Sequence, residues 1–264
     1  MSRTIALLTD FGSGDIYAGV MKGVIWSKAG TAQIADITHS VESGNIRQAA
    51  FLLKAAEGYF PADTIFVIVV DPGVGSLRRA IGLKQGKRIF LAPDNGCLTL
   101  IMEAYAEYEV RQIENRDFML NEVSRTFQGR DIFAAAAGML AAGGEFERMG
   151  GRCGDPVTIP WESAVIKGGL IEAEALHIDK FGNVITNIPA EWDLSGVKLA
   201  FTRGRELIPL IKGSTFSEIK PGETGLIRGS AGYYEMVMNH GSAAGVWDLK
   251  AGDRLNIIKQ GADG

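Results

Sequence analysis

Cysteine and histidine are scarce in this chain, at 2 and 3 of 264 residues. Cys97 and Cys153 lie far apart without CxxC spacing, and His39, His177 and His240 are dispersed without an HExxH pattern. That argues against a disulfide scaffold and against a metal centre. No Lys/Arg cluster is dense enough to follow a phosphate backbone, and the formal net charge is -4, so nucleic acid is not the expected partner. Long hydrophobic runs are also missing. The longest, Ile132 to Gly144, is mostly alanine and too short to span a bilayer, so no membrane partner is expected. The N-terminus offers a single Arg3 before Ile5–Leu8, then Thr9-Asp10, which reads as a strand entering a polar turn and not as an export signal. With so few thiols, the expected address is the cytoplasm, with both reduced. A GxxxxGK[ST] sequence is absent, and Gly12-Ser-Gly14 lacks the third glycine of a dinucleotide fingerprint, which removes nucleoside triphosphates and NAD.

What is present is ordinary globular composition, 46% hydrophobic and 22% charged, with no evident internal repeat. The first half alternates strand-like and helix-like segments. Thr4–Leu8 predicts a strand, and Ile16–Trp26 and Ile46–Leu53 carry apolar residues at helical spacing. Thr64–Val70 is a continuous β-branched and aromatic run, as expected of a strand buried on both faces. Ala80–Leu83 and Lys87–Leu91 predict a hairpin, and Leu98–Tyr105 and Asp131–Ala142 predict helices. The pattern implies an α/β/α domain with a mainly parallel sheet over residues 1–160. From Gly168 the character changes. Gly169–Ile178 alternates with period two, and short strands are predicted at Val197–Phe201, Thr224–Ile227, Tyr233–Met238 and Asp253–Ile258, with no convincing helix. Residues 168–264 are therefore expected to form a β-barrel or sandwich, with the boundary in Pro156–Gly168.

Carboxylates fall where the predicted strands end. Asp10 follows the first strand and opens Asp10-Phe-Gly-Ser-Gly-Asp15; Asp71 follows the most apolar strand and opens Asp71-Pro-Gly-Val-Gly; Asp94 sits in Pro93-Asp-Asn-Gly96. In open α/β sheets ligands bind beyond the carboxyl ends of strands, and glycines there let backbone approach a ligand closely. Each loop alone also reads as a helix cap or a turn. Asp10 and Asp71 together favour a small-molecule site.

Six motifs then occur in order: Thr9-Asp-Phe-Gly, Val70-Asp-Pro-Gly-Val-Gly-Ser-Leu-Arg78-Arg79, Pro93-Asp-Asn-Gly96, Thr126-Phe-Gln-Gly-Arg-Asp-Ile-Phe133, Ile178-Asp-Lys-Phe-Gly-Asn183 with Thr186-Asn-Ile188, and Gly229-Ser-Ala-Gly-Tyr233. Together they resemble the S-adenosylmethionine hydroxide adenosyltransferases, hydrolases related to the fluorinase and chlorinase. The resemblance runs nearly the whole chain. It implies an α/β domain followed by a β-barrel, a homotrimer, and a ligand held between the N-terminal domain of one subunit and the C-terminal domain of its neighbour. It also implies attack of water at ribose C5′, giving adenosine and L-methionine, with no cofactor and no metal. By this resemblance Asp71 and Arg78 belong to the water-activating set; Arg79 next door is the less favoured alternative, expected to face away because neighbours on an extended segment alternate. Asp10 matches a ribose-hydroxyl acceptor, and Asp15 and Tyr17 help hold the methionine end. Asp179 is matched to the substrate ammonium, Phe181 to the adenine face and Asn183 to the adenine edge. Phe127, Gly129, Ser230, Tyr233, Glu235 and Met238 complete the implied substrate contacts; Ser230 also reads as a turn residue and Met238 as core.

One position departs from the pattern. Where those hydrolases carry histidine in the Thr-Phe-x-Gly-Arg-Asp motif, this chain has Gln128. Glutamine cannot titrate, but it can still orient a water by hydrogen bonds, so Gln128 stays with Asp71 and Arg78 as a candidate catalytic residue. Two other readings remain open: a protein that binds S-adenosylmethionine or adenosine without turnover, and a halide-using transferase. Against the latter, the halogenases replace the acid at the position of Asp71, and Gly129 offers no hydroxyl for fluoride.

Overall fold

The structure, a computed structural model, describes residues 3–260; residues 1–2 and 261–264, at the outer ends of the two expected domains, lie outside it. The chain divides into two compact units, Met1–Trp161 and Glu162–Gly264. In the first, the elements run β1 (Thr4–Thr9), α1 (Tyr17–Lys28), β2 (Gln33–Thr38), α2 (Ile46–Glu57), β3 (Ile65–Val69), β4 (Ala80–Gln85), β5 (Arg88–Pro93), α3 (Thr99–Ala104) and β6 (Glu109–Gln112). A π-helix, Gly129–Ala134, then runs directly into α4 (Ala135–Ala141). The six strands order as β2-β1-β3-β5-β4-β6. Neighbours are parallel from β2 to β5, while β4 runs against both β5 and β6.

The continuous apolar strands explain the layering. Successive side chains of a strand point to opposite faces. Ile5, Leu7, Ile65, Val67, Val69, Ile89 and Leu91 pack on one face with Met21 and Ile25 of α1 and Ala136 and Leu140 of α4. Ala6, Leu8, Phe66, Ile68, Phe90 and Ala92 pack on the other with Ala49 and Leu53 of α2 and Ile101 of α3. Phe66 and Phe90 stack at 4.9 Å on adjacent strands. Every residue of β3 is buried. The unit is thus a three-layer α/β/α sandwich, and the loops after β1 and β3 emerge side by side because those strands are parallel neighbours.

The second unit runs β7 (Val165–Lys167), β8 (Leu170–Ile178), β9 (Val184–Pro189), β10 (Lys198–Arg203), β11 (Glu206–Gly213), β12 (Thr224–Arg228), β13 (Tyr233–Met238), α5 (Ala243–Trp247) and β14 (Arg254–Gln260). Seven strands close into a barrel in the order β14-β10-β11-β12-β13-β9-β8, the ring completed by the β14–β8 pairing, and β7 adds to β8 outside it. Alternation fills the interior: Ile171, Ala173 and Ala175 point inward from β8, Leu199 and Phe201 from β10, Met236 and Met238 from β13, and Leu255 and Ile257 from β14. Inside the ring, β11 and β12 run parallel, with Ile211 opposite Gly225.

Two expectations are corrected. A helix does follow Gly168: α5 is five residues long, capped by Ser242, whose side chain accepts from the Gly245 amide at 2.8 Å. So short a helix shows no periodicity in sequence. The helix expected from Asp131 instead begins at Gly129 in the wider π form.

Candidate active site

A cavity of about 400 Å³ opens beyond the carboxyl ends of β1 and β3. It is lined by Asp10 and Phe11 after β1 with Tyr17 at the start of α1, by Val69 at the end of β3 with Asp71 and Val74 beyond it, and by Ser124 to Arg130 without Arg125 where the chain enters the π-helix. Of the residues expected to act on substrate, the fold brings Asp10, Tyr17, Asp71, Phe127, Gln128 and Gly129 to this one space. Asp15 stands apart on an exposed turn, where its Oδ1 accepts from the Ile16 amide at 2.6 Å.

Each loop is fixed by its own local chemistry. Asp10 Oδ2 accepts from the Gly44 amide at 2.8 Å, which orients one carboxylate oxygen and leaves the other to the cavity. After β3, the Asp71 carbonyl accepts from Val74 N at 3.2 Å and the Gly73 carbonyl from Ser76 N at 3.0 Å, two successive turns. Gly75 sits between them at φ 78°, and a Cβ there would lie 2.6 Å from the Arg125 carbonyl oxygen, so this turn requires glycine. From the other side, Asn95 Nδ2 donates to the Val70 carbonyl at 2.9 Å, bracing the peptide that precedes Asp71.

Arg78 does not line the cavity. Its guanidinium lies behind two residues that do, 10% exposed against 6% for the Asp71 side chain. Arg78 Nε donates to Asp71 Oδ1 at 3.1 Å and Oδ2 at 3.0 Å, and Nη2 donates to both Asp71 Oδ2 and Gln128 Oε1. A guanidinium has only donors, so the Gln128 oxygen must face it. That leaves the Gln128 amide N–H groups to serve the cavity. Arg79 does face away: Nε donates to Asp94 Oδ2 at 2.6 Å and Nη1 to Asp155 Oδ1 at 2.6 Å. The bond to Asp155 outweighs burial and, with Asp94, drives the Arg79 pKa further up. Asp94, buried, also accepts from the Val157 amide at 2.7 Å, so its carboxylate is structural.

Aromatic rings wall part of the cavity. Tyr17 and Phe127 meet edge to face at 5.1 Å, Phe11 lies 5.6 Å from Tyr17, and Arg130 sits over Phe127 at 5.1 Å. Gly129 closes the floor: a Cβ there would come within 3.2 Å of Val69 Cγ1 and 3.3 Å of the Phe11 ring. Phe11, Val74, Ser124, Thr126 and Arg130 were not singled out from the sequence; all but Ser124 lie inside the motifs given above, which was the available signal.

In the barrel unit, Asp179 folds its own turn. Oδ1 accepts from the Phe181 and Asn183 amides at 2.8 and 2.9 Å, and Oδ2 accepts from Asn183 Nδ2 at 2.8 Å. Phe181 is held out 65% exposed with Lys180 Nζ 4.8 Å over its ring. Asn183 is buried. Ser230 lies exposed in the turn before β13, Tyr233 is half-buried at its start, and Met238 is packed in the barrel core. Glu235 folds over Gly229; burial first, and then the negative charge of Asp179, push its carboxyl above the usual range. Asp179, Asn183 and Glu235 thus share one neighbourhood. Among the described residues no group of three His, Cys, Asp or Glu is placed to hold a metal ion, and no helix is long and apolar enough to cross a membrane.

Models of the SAM hydroxide adenosyltransferase N-terminal and C-terminal domains match residues 5–150 and 173–256. The chain belongs to this family. Among its relatives, the (R)-S-adenosyl-L-methionine hydrolase of Salinispora tropica is 34% identical, with 96% of this chain and 97% of the relative covered. The enzyme of the same name from Thermus thermophilus is 32% identical, with 97% and 100% covered. A fluorinase from an Actinoplanes species is 24% identical, with 97% of each chain covered. A solved structure of an uncharacterized conserved protein from Thermotoga maritima superposes with a TM-score of 0.89 at 38% identity, covering 97% of this chain and all of that one.

Proposed function

We propose that this chain hydrolyses S-adenosyl-L-methionine, water attacking ribose C5′ to release adenosine and L-methionine. The observation that carries this reading is the convergence of Asp10, Asp71 and Gln128 on one cavity, with Arg78 holding the last two from behind. The full-length relatives named as hydrolases support it. The oxygen–C5′ bond forms as the C5′–sulfur bond breaks; the electron pair stays on sulfur, which leaves as a neutral thioether. No acid is needed for that leaving group. What the protein supplies is an in-line arrangement and a water with its lone pair aimed at carbon. Asp71 accepts the water's proton, while the Gln128 N–H donates to the same oxygen and fixes its direction. Arg78 acts through these two as a positioning residue. Asp10 accepts from the ribose hydroxyls, and Tyr17, Phe127 and Gly129 shape the wall.

Asp179, Phe181, Asn183, Ser230, Tyr233, Glu235 and Met238 form the part of the site that meets adenine and the amino-acid end, supplied by a neighbouring subunit of a homotrimer. Asp15 joins them at the methionine end. Exposed Ile16, Val74 and Leu77 around the cavity loops support a covering partner surface. No cofactor and no metal take part. Free Cys97 and Cys153 suit the cytoplasm.

The test is incubation with each sulfonium epimer of S-adenosylmethionine, with and without chloride, followed by separation of nucleosides. Adenosine matched by methionine supports hydrolysis. The product 5′-chloro-5′-deoxyadenosine would assign halide transfer, and retained ligand without turnover a binding protein. Mixing inactive Asp71→Asn and Asp179→Asn subunits should restore activity if sites are shared; no recovery from reassembled mixtures would overturn the shared site.

A further inference from the structure

The loop that carries Asp10 is underpinned by side chains that the hydrolysis itself does not use. Thr9, fully buried at the end of β1, places its Oγ1 2.9 Å from His39 Nδ1 and accepts from the Phe11 amide at 3.3 Å. His39 follows β2, and its side chain is 9% exposed. Its Nε2 lies 3.1 Å from Asp36 Oδ1, and Asp36 Oδ2 in turn accepts from Lys22 Nζ of α1 at 2.6 Å. The His39 carbonyl also accepts from Gly12 N at 2.7 Å. Asp10 and Phe11 thus sit between a residue bonded to the His39 ring and one bonded to its backbone.

The direction of the relay follows from the donor inventory. The Asp36 carboxylate 3.1 Å from Nε2 is not aligned for a hydrogen bond, but its negative charge favours the tautomer with hydrogen on that nitrogen. Nδ1 is then an acceptor for the Thr9 hydroxyl, whose lone pair remains for the Phe11 N–H. From His39 Nδ1 through Thr9 to the Phe11 amide each group has one role, and each fixes the next. Burial works against the charged form of Asp36, yet the Lys22 hydrogen bond and the nearby His39 ring prevail and hold its carboxyl below the usual range, which keeps an anion beside Nε2.

We propose that His39 is a positioning residue for ribose binding: through Thr9 it fixes the Asp10–Phe11 segment so that the Asp10 carboxylate is presented to the sugar diol. The proposal rests on the reading of Asp10 as the ribose acceptor. It concerns affinity for the nucleoside, not the bond-breaking step.

The experiment uses the full chain and compares wild type, His39→Ala, His39→Asn and Asp10→Asn. Steady-state kinetics on S-adenosylmethionine are read beside calorimetric Kd values for adenosine and 2′,3′-dideoxyadenosine. His39→Ala should raise KM and the adenosine Kd about three- to tenfold, the size of one neutral hydrogen bond. Its kcat should stay within about twofold, as for an interaction made equally in ground and transition states. Dideoxyadenosine affinity should not move, since it lacks the hydroxyls that Asp10 would hold. His39→Asn, whose amide oxygen can take the place of Nδ1 toward Thr9, should restore wild-type KM. Unchanged KM and adenosine Kd in His39→Ala would overturn the proposal, as would equal losses for both nucleosides or a failed asparagine rescue. Asp10→Asn separates the two layers. If it leaves adenosine affinity intact, the ribose reading itself falls; if it weakens adenosine while His39→Ala does not, only the role of His39 falls.

Discussion

Removing the guanidinium behind the cavity should cost far more than breaking a surface ion pair. In Arg78→Gln, Asp71 would keep its charge at a position where the side chain is 6% exposed and would lose its hydrogen bonds to Nε and Nη2. Breaking one side of a buried, hydrogen-bonded pair costs about 3–5 kcal/mol. Asp71 also lines the cavity, through which water can reach it, so the lower end, about 3 kcal/mol, is the expected loss for the first unit. At about 1.4 kcal/mol per tenfold, that is roughly two decades in the opening equilibrium. Native-state hydrogen exchange resolved by peptide measures it directly, because β3 reports its own unit. Lys84→Gln is the reference: Lys84 and Glu147 are 36% and 51% exposed, and such a pair is worth at most about 1 kcal/mol. Adding Asp71→Asn to Arg78→Gln should recover part of the protection, since no buried charge then remains. A loss in Arg78→Gln no larger than that of Lys84→Gln would refute the reasoning, and with it the view of Arg78 as the support of the nucleophile side.

Three further outcomes are expected. Gln128→His should introduce a limb near pH 6.5 into the kcat profile, the ordinary range of histidine, that the wild type lacks; coincident profiles and rates would remove any role for position 128. Glu235, with its carboxyl raised in the folded state, contributes stability that is full below about pH 4.3 and is lost as pH rises through the folded value. Glu235→Gln should therefore flatten the decline in barrel stability above that pH, measured by unfolding across a pH series. Gly225→Ala would drive a methyl into the Ile219 side chain and within 2.8 Å of the Ile211 carbonyl oxygen at the parallel β11–β12 pair, costing about 1–3 kcal/mol of barrel stability by thermal unfolding.

Legibility in the sequence tracked burial and length. β3 could be read because all of its residues are apolar, and β8 because it alternates. β2 could not: Gln33, Asp36 and Thr38 interrupt an edge strand in which no residue is fully buried. β9 hides Thr186 and Asn187 in a buried strand, tolerable because the Thr186 hydroxyl donates to the Tyr234 carbonyl and Asn187 Oδ1 accepts from the Glu174 amide. β11 contains Pro209, which argues against a strand when seen alone. At the site, Asp10 and Asp71 were visible because each stands within two residues of the end of an apolar run. His39 was not: its partners Thr9 and Asp36 are distant in sequence or polar in context, and only the pairing of β1 with β2 brings them together. Nor could sequence put Arg78 behind Asp71 and Gln128, because that depends on how the turn after β3 folds back.

The π-helix that begins at Gly129 sets a phase. A helix turns by about 100° per residue, and a π segment holds one residue more than an α-helix of the same span. Deleting a single residue between Gly129 and Ala134 would let α4 extend backwards as ordinary helix and swing Gln128 around its axis, away from the Arg78 guanidinium it now faces. Length in this short stretch is therefore as much a determinant of what meets the nucleophile as the identity of residue 128. A library that varies only side chains here would explore one of those two dimensions.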